Sequence, residues 1–281
     1  MIPAIPTITL QSKVEIPQLG FGTWKILPID IPEAIDGALQ SGYRHIDTAQ
    51  GYGNEQAIGE ALSCSGIKRE EIFLVSKLDN RNHLPSDVYR SFEQSLTDLK
   101  VDYLDLFLIH WPVPLLYDGD FVSTWKALID LQDKHLVKAI GVSNFEPKHI
   151  RQLIQETGQK PDINQIEVHP FFQNNATRAW TIEHGIAVEA WSPLGQGQIL
   201  QDHRLESLAA KYGKSTAQIT LRWHIQHGNI VFPKSSSLTR MRENLEIFDF
   251  ELSPDEIALL DSCDQGENGR LGPHPERHNA M

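Results

Sequence analysis

The chain has 281 residues, 40% of them hydrophobic and 22% charged, which is the make-up of a folded globular protein and excludes intrinsic disorder. A formal net charge of -12 excludes general nucleic-acid binding, which needs a basic field, yet leaves room for an anionic ligand in a local basic pocket. Cys64 and Cys263 form no disulfide framework and suit a reducing compartment. The opening residues lack the basic start and long apolar stretch of a signal peptide, and no run of about 18 apolar residues occurs. A cytoplasmic protein without a membrane span is therefore expected. Asn175-Ala176-Thr177 fits a glycosylation sequon, which without a secretory signal is read as chance.

In chain order, Thr7–Leu10 and Lys13–Ile16 flank Gln11-Ser12 and read as a hairpin plugging one end of a barrel. Short apolar runs then alternate with longer amphipathic stretches. Leu19–Trp24 is the first run, and Pro32–Gln40 is a helix that opens on a proline and stops at Gly42. Arg44–Ala49 and Ile72–Lys77 follow, then a helix through Leu99 with Ser86 as its N-cap. Leu104–His110 leads to a helix over Ser123–Lys134, Ala139–Ser143 to one over Pro147–Glu156, and Ile163–Val168 to one over Asn175–His184. Ala187–Ser192 and Ile230–Lys234 are the last runs, with helices over Ser215–Gln226 and Ser237–Glu246. The runs are rich in Ile, Val, Leu and Phe, as strands buried on both faces should be. Eight βα repeats imply a parallel sheet and favour a closed (β/α)8 TIM barrel, one domain over residues 1–281. Pro254–Asp261 reads as an extra C-terminal helix, and the polar GENGRLGPHPERHNAM as an irregular tail.

Barrels of this kind carry chemistry at the C-terminal ends of their strands. Asp47, Lys77 and His110 each end a run, and Tyr52 lies just past one. A free tyrosine has a pKa of about 10 and donates protons poorly near neutrality. A neighbouring ammonium stabilises the phenolate and lowers that value. A carboxylate would hold the lysine in place, and a histidine beside the tyrosine would orient a carbonyl oxygen, as carbonyl reduction requires. Each residue also has a structural reading. Asp47 suits a satisfied buried carboxylate or a helix cap, and Tyr52 a rim aromatic. Lys77 suits an exposed strand end, and His110 a core histidine bonded to a backbone carbonyl. Singly those readings prevail; four mutually useful groups at strand ends favour the catalytic one. Lys234 ends the last run and Arg240 begins the next helix. With Ser235, Ser236 and a helix N-terminus they make either an anion site or a solvated basic turn.

The segments GYRHIDTAQGYGNE, LVSKL, LFLIHWP, IGVSNF, NQIEVHP and VFPKSSS with RMREN resemble, in order and over essentially the whole chain, the aldo-keto reductase superfamily. WSPLGQG and the short tail look most like the bacterial 2,5-diketo-D-gluconate reductase branch. The resemblance implies an NADPH-dependent reduction of aldehydes or ketones, with diketo sugar acids or small dicarbonyls in view, by a monomer. It implies Tyr52 as general acid, Lys77 as the group that lowers its pKa, Asp47 as the partner of Lys77, and His110 as the orienter of the carbonyl. Ser143, Asn144 and Gln165 would hold the nicotinamide amide, and Trp191 would stack on its ring. Ser192, Leu194, Gln196 and Gly197 would follow the pyrophosphate. Lys234, Ser235 and Arg240 would clamp the 2′-phosphate, and Glu243 and Asn244 would meet the adenine. Two positions depart from the pattern. Many relatives have Tyr at Trp191, and an aromatic residue at Asp79, near the substrate mouth. Trp24 and Trp111 are pocket walls or ordinary core.

Gly213-Lys214-Ser215-Thr216 resembles the end of a P-loop, but the motif's first glycine would fall on Leu208, so Ser215 is read as a plain N-cap. No GxGxxG follows the first run, which excludes a Rossmann site. The twelve histidines show no HExxH or paired-Cys spacing, so no metal is expected. A cofactor-binding accessory or sensor protein on the same barrel is the second reading, and a hydrolase or isomerase barrel the third.

Overall fold

Strands that are apolar on both sides need a filled interior within and helices outside. The computed structural model, which describes residues 5–280, meets both needs. Strands β1 (Thr7–Thr9) and β2 (Glu15–Pro17) form an antiparallel hairpin. The barrel strands are β3 (Phe21–Gly22), β4 (His45–Asp47), β5 (Phe73–Leu78), β6 (Leu104–Ile109), β7 (Val137–Ser143), β8 (Ile163–Glu167), β9 (Ala187–Trp191) and β10 (Ile230–Val231). Each pairs in parallel with its successor or across β9–β10. Closure comes from a parallel bridge between Leu19 and Val231. There the Gly20 N–H donates to the Val231 carbonyl at 2.7 Å, and the Val231 N–H to the Gln18 carbonyl at 3.0 Å.

The hairpin plugs one end of the barrel, as the sequence predicts. Leu10 and Ile16 of the hairpin pack with Phe73, Val75, Leu106 and Ile230, sealing the end where the strands begin. Polar contacts fix the plug: the Gln18 amide donates to the Ile225 and Asn229 carbonyls at 3.0 and 3.1 Å, and Asp162 accepts from the Ser12 N–H at 2.8 Å. Only the opposite end, where the strands finish, is left for a site.

The outer helices are α1 (Ile31–Ser41), α2 (Glu55–Cys64), α3 (Pro85–Leu99), α4 (Phe121–Asp133), α5 (Pro147–Thr157), α6 (Asn175–Glu183), α7 (His203–Tyr212), α8 (Thr216–Gln226), α9 (Leu238–Leu245) and α10 (Pro254–Asp261). No helix among the described residues is long and apolar enough to cross a membrane. Ser215 caps α8 in a capping box with Gln218. Ser86 is not a cap: Pro85 occupies the first turn of α3 and Leu84 is the N-cap residue. Helices α2 and α7 are additions to the sequence reading. The stripe of α2 is broken by Gly59, which sits so close to α3 that a Cβ would lie 2.2 Å from the Asp98 carbonyl oxygen. That of α7 (Leu205, Leu208, Ala209) is short.

The C-terminal segment is irregular, as expected, but it is not loose. After a short 3-10 turn at Gly266–Gly269 it crosses the open end of the barrel. Glu167, the last residue of β8, accepts from the Leu271 and Gly272 N–H groups at 2.6 and 2.9 Å and lies 3.1 Å from His169 Nε2. Farther on, Glu276 pairs with Lys148 and His149 of α5. The ring of His278 lies on Trp111, centroids 4.2 Å apart, and the Asn80 amide donates to the Ala280 carbonyl at 2.9 Å. Charge-assisted bonds of the Glu167 kind contribute about 1.5–3 kcal/mol each. Glu167→Ala is therefore expected to speed proteolytic cleavage within residues 270–280 by roughly tenfold or more, since opening by 1.4 kcal/mol is a factor of about ten. Equal cleavage rates for the variant and the parent would show that the segment is held elsewhere.

Candidate active site

Asp47 closes β4, Lys77 lies one residue from the end of β5, and His110 follows the last residue of β6. Tyr52 ends the 3-10 turn Gln50–Tyr52 that leaves β4. The strand ends thus bring together the four groups the sequence singles out. Lys77 is fully buried, and its Nζ donates to Asp47 Oδ1 and Oδ2 at 2.7 and 2.9 Å, to the Thr48 carbonyl at 2.8 Å and to Tyr52 Oη at 3.3 Å. An ammonium has donors only, so Tyr52 Oη is the acceptor and its own hydrogen is left for another partner. The Tyr52 and His110 rings meet edge to face, 5.9 Å between centroids.

Burial and charge compete at each group. Burial alone would lower the Lys77 pKa, but Asp47 above all, with Tyr52 and Glu189, outweighs it, and the ammonium is held charged. Burial raises the Asp47 carboxyl, against the hold of Lys77 and with a further push from Glu189. Tyr52 corrects a simple expectation. Lys77 does act to lower the phenol, but burial is the larger effect and Asp47 partly screens the cation, so the group lies above its ordinary value. His110 is pushed down to about 3, chiefly by burial and then by Lys77, and is a neutral imidazole.

A second layer joins the next strands. The Ser143 hydroxyl donates to the Gln165 carbonyl at 2.9 Å. The Asn144 amide donates to the His110 carbonyl and to Ser143 Oγ, both at 3.0 Å, and accepts from Trp191 Nε1 at 2.8 Å. Gln165 Nε2 donates to Asp47 Oδ2 at 2.9 Å and to Glu189 Oε2 at 2.8 Å. Asn144, Ser192 and Gln196 hold left-handed backbone, φ 63, 49 and 51°.

A cavity of about 720 Å³ opens over these groups. Asp47, Tyr52 and His110 line it, as do Ser143, Asn144 and Gln165, then Trp191 at the end of β9 and Ser192, Leu194, Gln196 and Gly197 from the loop after it. Lys234, Ser235 and Arg240 line it too, together with Trp24 and Trp111. Lys234 and Arg240 are exposed and have no carboxylate within ion-pair distance among the described residues. Lys77 lies behind the lining. Glu243 and Asn244 are not part of the lining, being three and four residues past Arg240 on α9. Asp79 is not part of it either. Its carboxylate caps the turn at Asn80–Asn82 and is occupied by Arg81, whose N–H, Nε and Nη2 approach at 2.9, 2.8 and 2.9 Å. Those bonds hold it below the usual carboxylate range.

Several lining residues were not expected. Leu271, Gly272 and Pro273 come from the C-terminal segment, and Phe232 and Pro233 from the end of β10. The segment has no periodicity to betray it. Glu189 was legible in principle: a carboxylate two residues before Trp191 on a strand shares its face. Among the described residues, Glu146, His149 and Glu276 are near enough to one another to hold an ion. The Glu146 N–H donates to His149 Nδ1 at 3.1 Å, so the neutral ring carries its hydrogen on Nε2, toward Glu276, and has no lone pair left for a metal.

The model of the Aldo/keto reductase family matches residues 18–265. The chain is 48% identical to an aldo-keto reductase of Mycolicibacterium smegmatis, over 98% of both chains. It is 44% identical to the methylglyoxal reductase DkgA of Escherichia coli, again over 98% of both. Its fold matches an aldo/keto reductase from Brucella melitensis with a TM-score of 0.90 at 47% identity, covering 94% of this chain and 100% of that one. A variant of Gox0644, solved in complex with NADPH, matches with a TM-score of 0.94 at 39% identity, covering 98% of this chain and 99% of that one. Matched along its length in sequence and in fold, this chain belongs to the aldo/keto reductase family.

Proposed function

We propose that the chain reduces an aldehyde or ketone to an alcohol with NADPH as cofactor, Tyr52 acting as the general acid. The observation that carries this reading is the Lys77–Tyr52 hydrogen bond at the cavity lining, with His110 edge-on to the phenol. The names of relatives support the direction: one is a methylglyoxal reductase, and a Gox0644 variant was solved with NADPH. Small dicarbonyls and diketo sugar acids are the proposed substrate class.

The residues present fit the cofactor. Both hydrogens of the Gln165 amide are engaged by carboxylates, which leaves its Oε1 to accept from a carboxamide. Trp191 offers a ring to a nicotinamide. Lys234 and Arg240, unpaired beside the Ser237-capped start of α9, suit a 2′-phosphate: two cations and a helix N-terminus favour an anion together. Bound NADPH would supply the hydride. The protein's task is then to meet the negative charge that develops on the carbonyl oxygen. Neutral His110 has a single ring hydrogen to offer that oxygen. Tyr52 releases its proton to it, and the phenolate left behind faces the Lys77 ammonium, which Asp47 fixes. Trp24 and Trp111 give the cavity apolar walls that exclude water from the reacting carbon.

Tyr52→Phe is expected to lower kcat by about 10²–10⁴-fold, the usual reach of a general acid, with the Kd for NADPH nearly unchanged. Full turnover in that variant would remove the role from Tyr52, and NADPH binding by the parent without turnover on a broad carbonyl panel would favour an accessory role. Arg240→Ala should weaken NADPH by roughly 10–100-fold while barely affecting NADH, the loss of one charge-assisted phosphate contact. Equal losses would place the clamp elsewhere. The pH profile follows from the protonated form being the active one. Tyr52 lies above its ordinary value of about 10, and His110 titrates at about 3, outside the working range. So kcat/KM for reduction should stay level from about pH 6 to 9 and fall only above about 10. A fall centred near neutrality would assign the proton to another group.

A further inference from the structure

Glu189 takes no part in the mechanism above, yet it is a carboxylate at 0% exposure in the barrel interior. Burying such a group is costly unless its bonds are made. We propose that Glu189 is a positioning residue: it locks the Gln165 side chain so that only the Gln165 carbonyl oxygen faces the cofactor's carboxamide. The proposal rests on the reading of Gln165 as a nicotinamide contact.

The argument is one of donors and acceptors. Gln165 and Glu189 are register partners across β8 and β9, side by side on the inner face. The Gln165 amide nitrogen has two hydrogens, and the two acceptors in reach are Asp47 Oδ2 at 2.9 Å and Glu189 Oε2 at 2.8 Å. A flipped amide would set its oxygen against two carboxylates, so only one orientation is tolerable. With both hydrogens engaged, Oε1 is the only polar atom of the side chain still free, and Gln165 lines the cavity. Asp47 alone would not suffice. Its oxygens already take the Lys77 ammonium, and a single anchor leaves the amide free to swing about that bond. The second anchor, from the neighbouring strand, fixes the plane of the amide.

Glu189 is itself held from behind. Its Oε1 lies 3.4 Å from Nε2 of His45, a residue likewise at 0% exposure. His45 Nδ1 faces the Pro17 carbonyl at 3.0 Å, and since a carbonyl only accepts, Nδ1 carries a hydrogen. The contact between His45 Nε2 and Glu189 Oε1 completes the row. The ring has room because residue 20 is glycine: a Cβ there would lie 2.6 Å from His45 Cγ. Phe73 and Phe232 flank the ring at 5.4 and 6.4 Å between centroids. The row runs His45, Glu189, Gln165, cavity, and the other charged groups beside it are Asp47 and Lys77.

The test compares two ligands by titration calorimetry on the whole protein: NADP+, and 2′,5′-ADP, which keeps the adenosine end and lacks the nicotinamide. Glu189→Leu keeps the volume and removes the acceptor. It is expected to weaken NADP+ by about tenfold and to leave 2′,5′-ADP within about twofold. Glu189→Gln should restore NADP+ to within about threefold, because its amide can accept from Gln165 and donate to His45 Nε2. Should Glu189→Leu fail to fold, Glu189→Thr serves, its hydroxyl being too short to reach Gln165. Gln165→Leu separates the two ideas. If it leaves NADP+ binding unchanged, the nicotinamide reading of Gln165 falls. If it weakens NADP+ selectively while Glu189→Leu does not, or if Glu189→Leu weakens both ligands alike, the positioning role is overturned.

Discussion

A lysine ammonium withdrawn entirely from water is the constraint on which the rest of the site depends. Desolvating such an ion costs several kcal/mol even after relaxation, so Lys77 needs acceptors on all sides. The barrel delivers them from adjacent strands: Asp47 closes β4 beside β5, and the Thr48 carbonyl follows at once. The phenol of Tyr52 takes the remaining direction. Asp47, once committed to Lys77, needs its second oxygen supported, and Gln165 does this from β8 across the barrel. Gln165 in turn draws in Glu189, and Glu189 draws in His45. One buried cation thus organises polar groups on five of the eight strands: β5, which carries it, β4 directly, β8 and β9 through Asp47 and Gln165, and β7 through the Ser143 bond to the Gln165 carbonyl.

The two ends of the barrel are closed in different ways. At the strand starts, the hairpin brings Leu10 and Ile16 onto Phe73 and Leu106, and apolar side chains seal the end. At the strand finishes, the backbone of the C-terminal segment hydrogen-bonds to Glu167 and packs Gly272 against Trp191, where a Cβ would come within 2.4 Å of the indole. One closure is hydrophobic. The other is a strap whose backbone is held by Glu167 at its near end and whose own Glu276 pairs with Lys148 and His149 of α5 at its far end.

The sequence shows most of this where periodicity and strand ends coincide. The runs ending in Asp47, Lys77 and His110 are apolar, short and regularly spaced, and the structure places all three within one cluster with Tyr52. Helix α2 escaped because Gly59, required by its close crossing with α3, breaks its stripe. Asp79 was legible as a carboxylate near a mouth but not as a cap, since the identity of its partner, Arg81, depends on a 3-10 turn that has no sequence period. The strap over the cavity was read only as a polar tail, because chain held by backbone N–H groups leaves no side-chain pattern. The positions that the resemblance assigns to a cofactor divide too: those at strand ends, in the loop after β9 and in the first turn of α9 line the cavity, and Glu243 and Asn244, one helical turn past Arg240, do not.

The raised phenol of Tyr52 bears on what the buried lysine is for. An acid whose pKa falls near neutrality would be half ionised before any substrate arrived, and its phenolate would bind the ammonium more tightly than the phenol does. Burial prevents this by keeping Tyr52 protonated, while Lys77 stands at 3.3 Å, too long for a strong bond to the neutral oxygen. The attraction is thereby held in reserve until charge appears on that oxygen, which in the proposed reaction happens as the proton leaves. An interaction weak in the resting state and strong at that moment is the kind that accelerates a reaction instead of merely tightening binding. The dense set of acceptors around Lys77 serves the same end, since an ammonium already anchored by Asp47 and Thr48 has no reorganisation left to undergo.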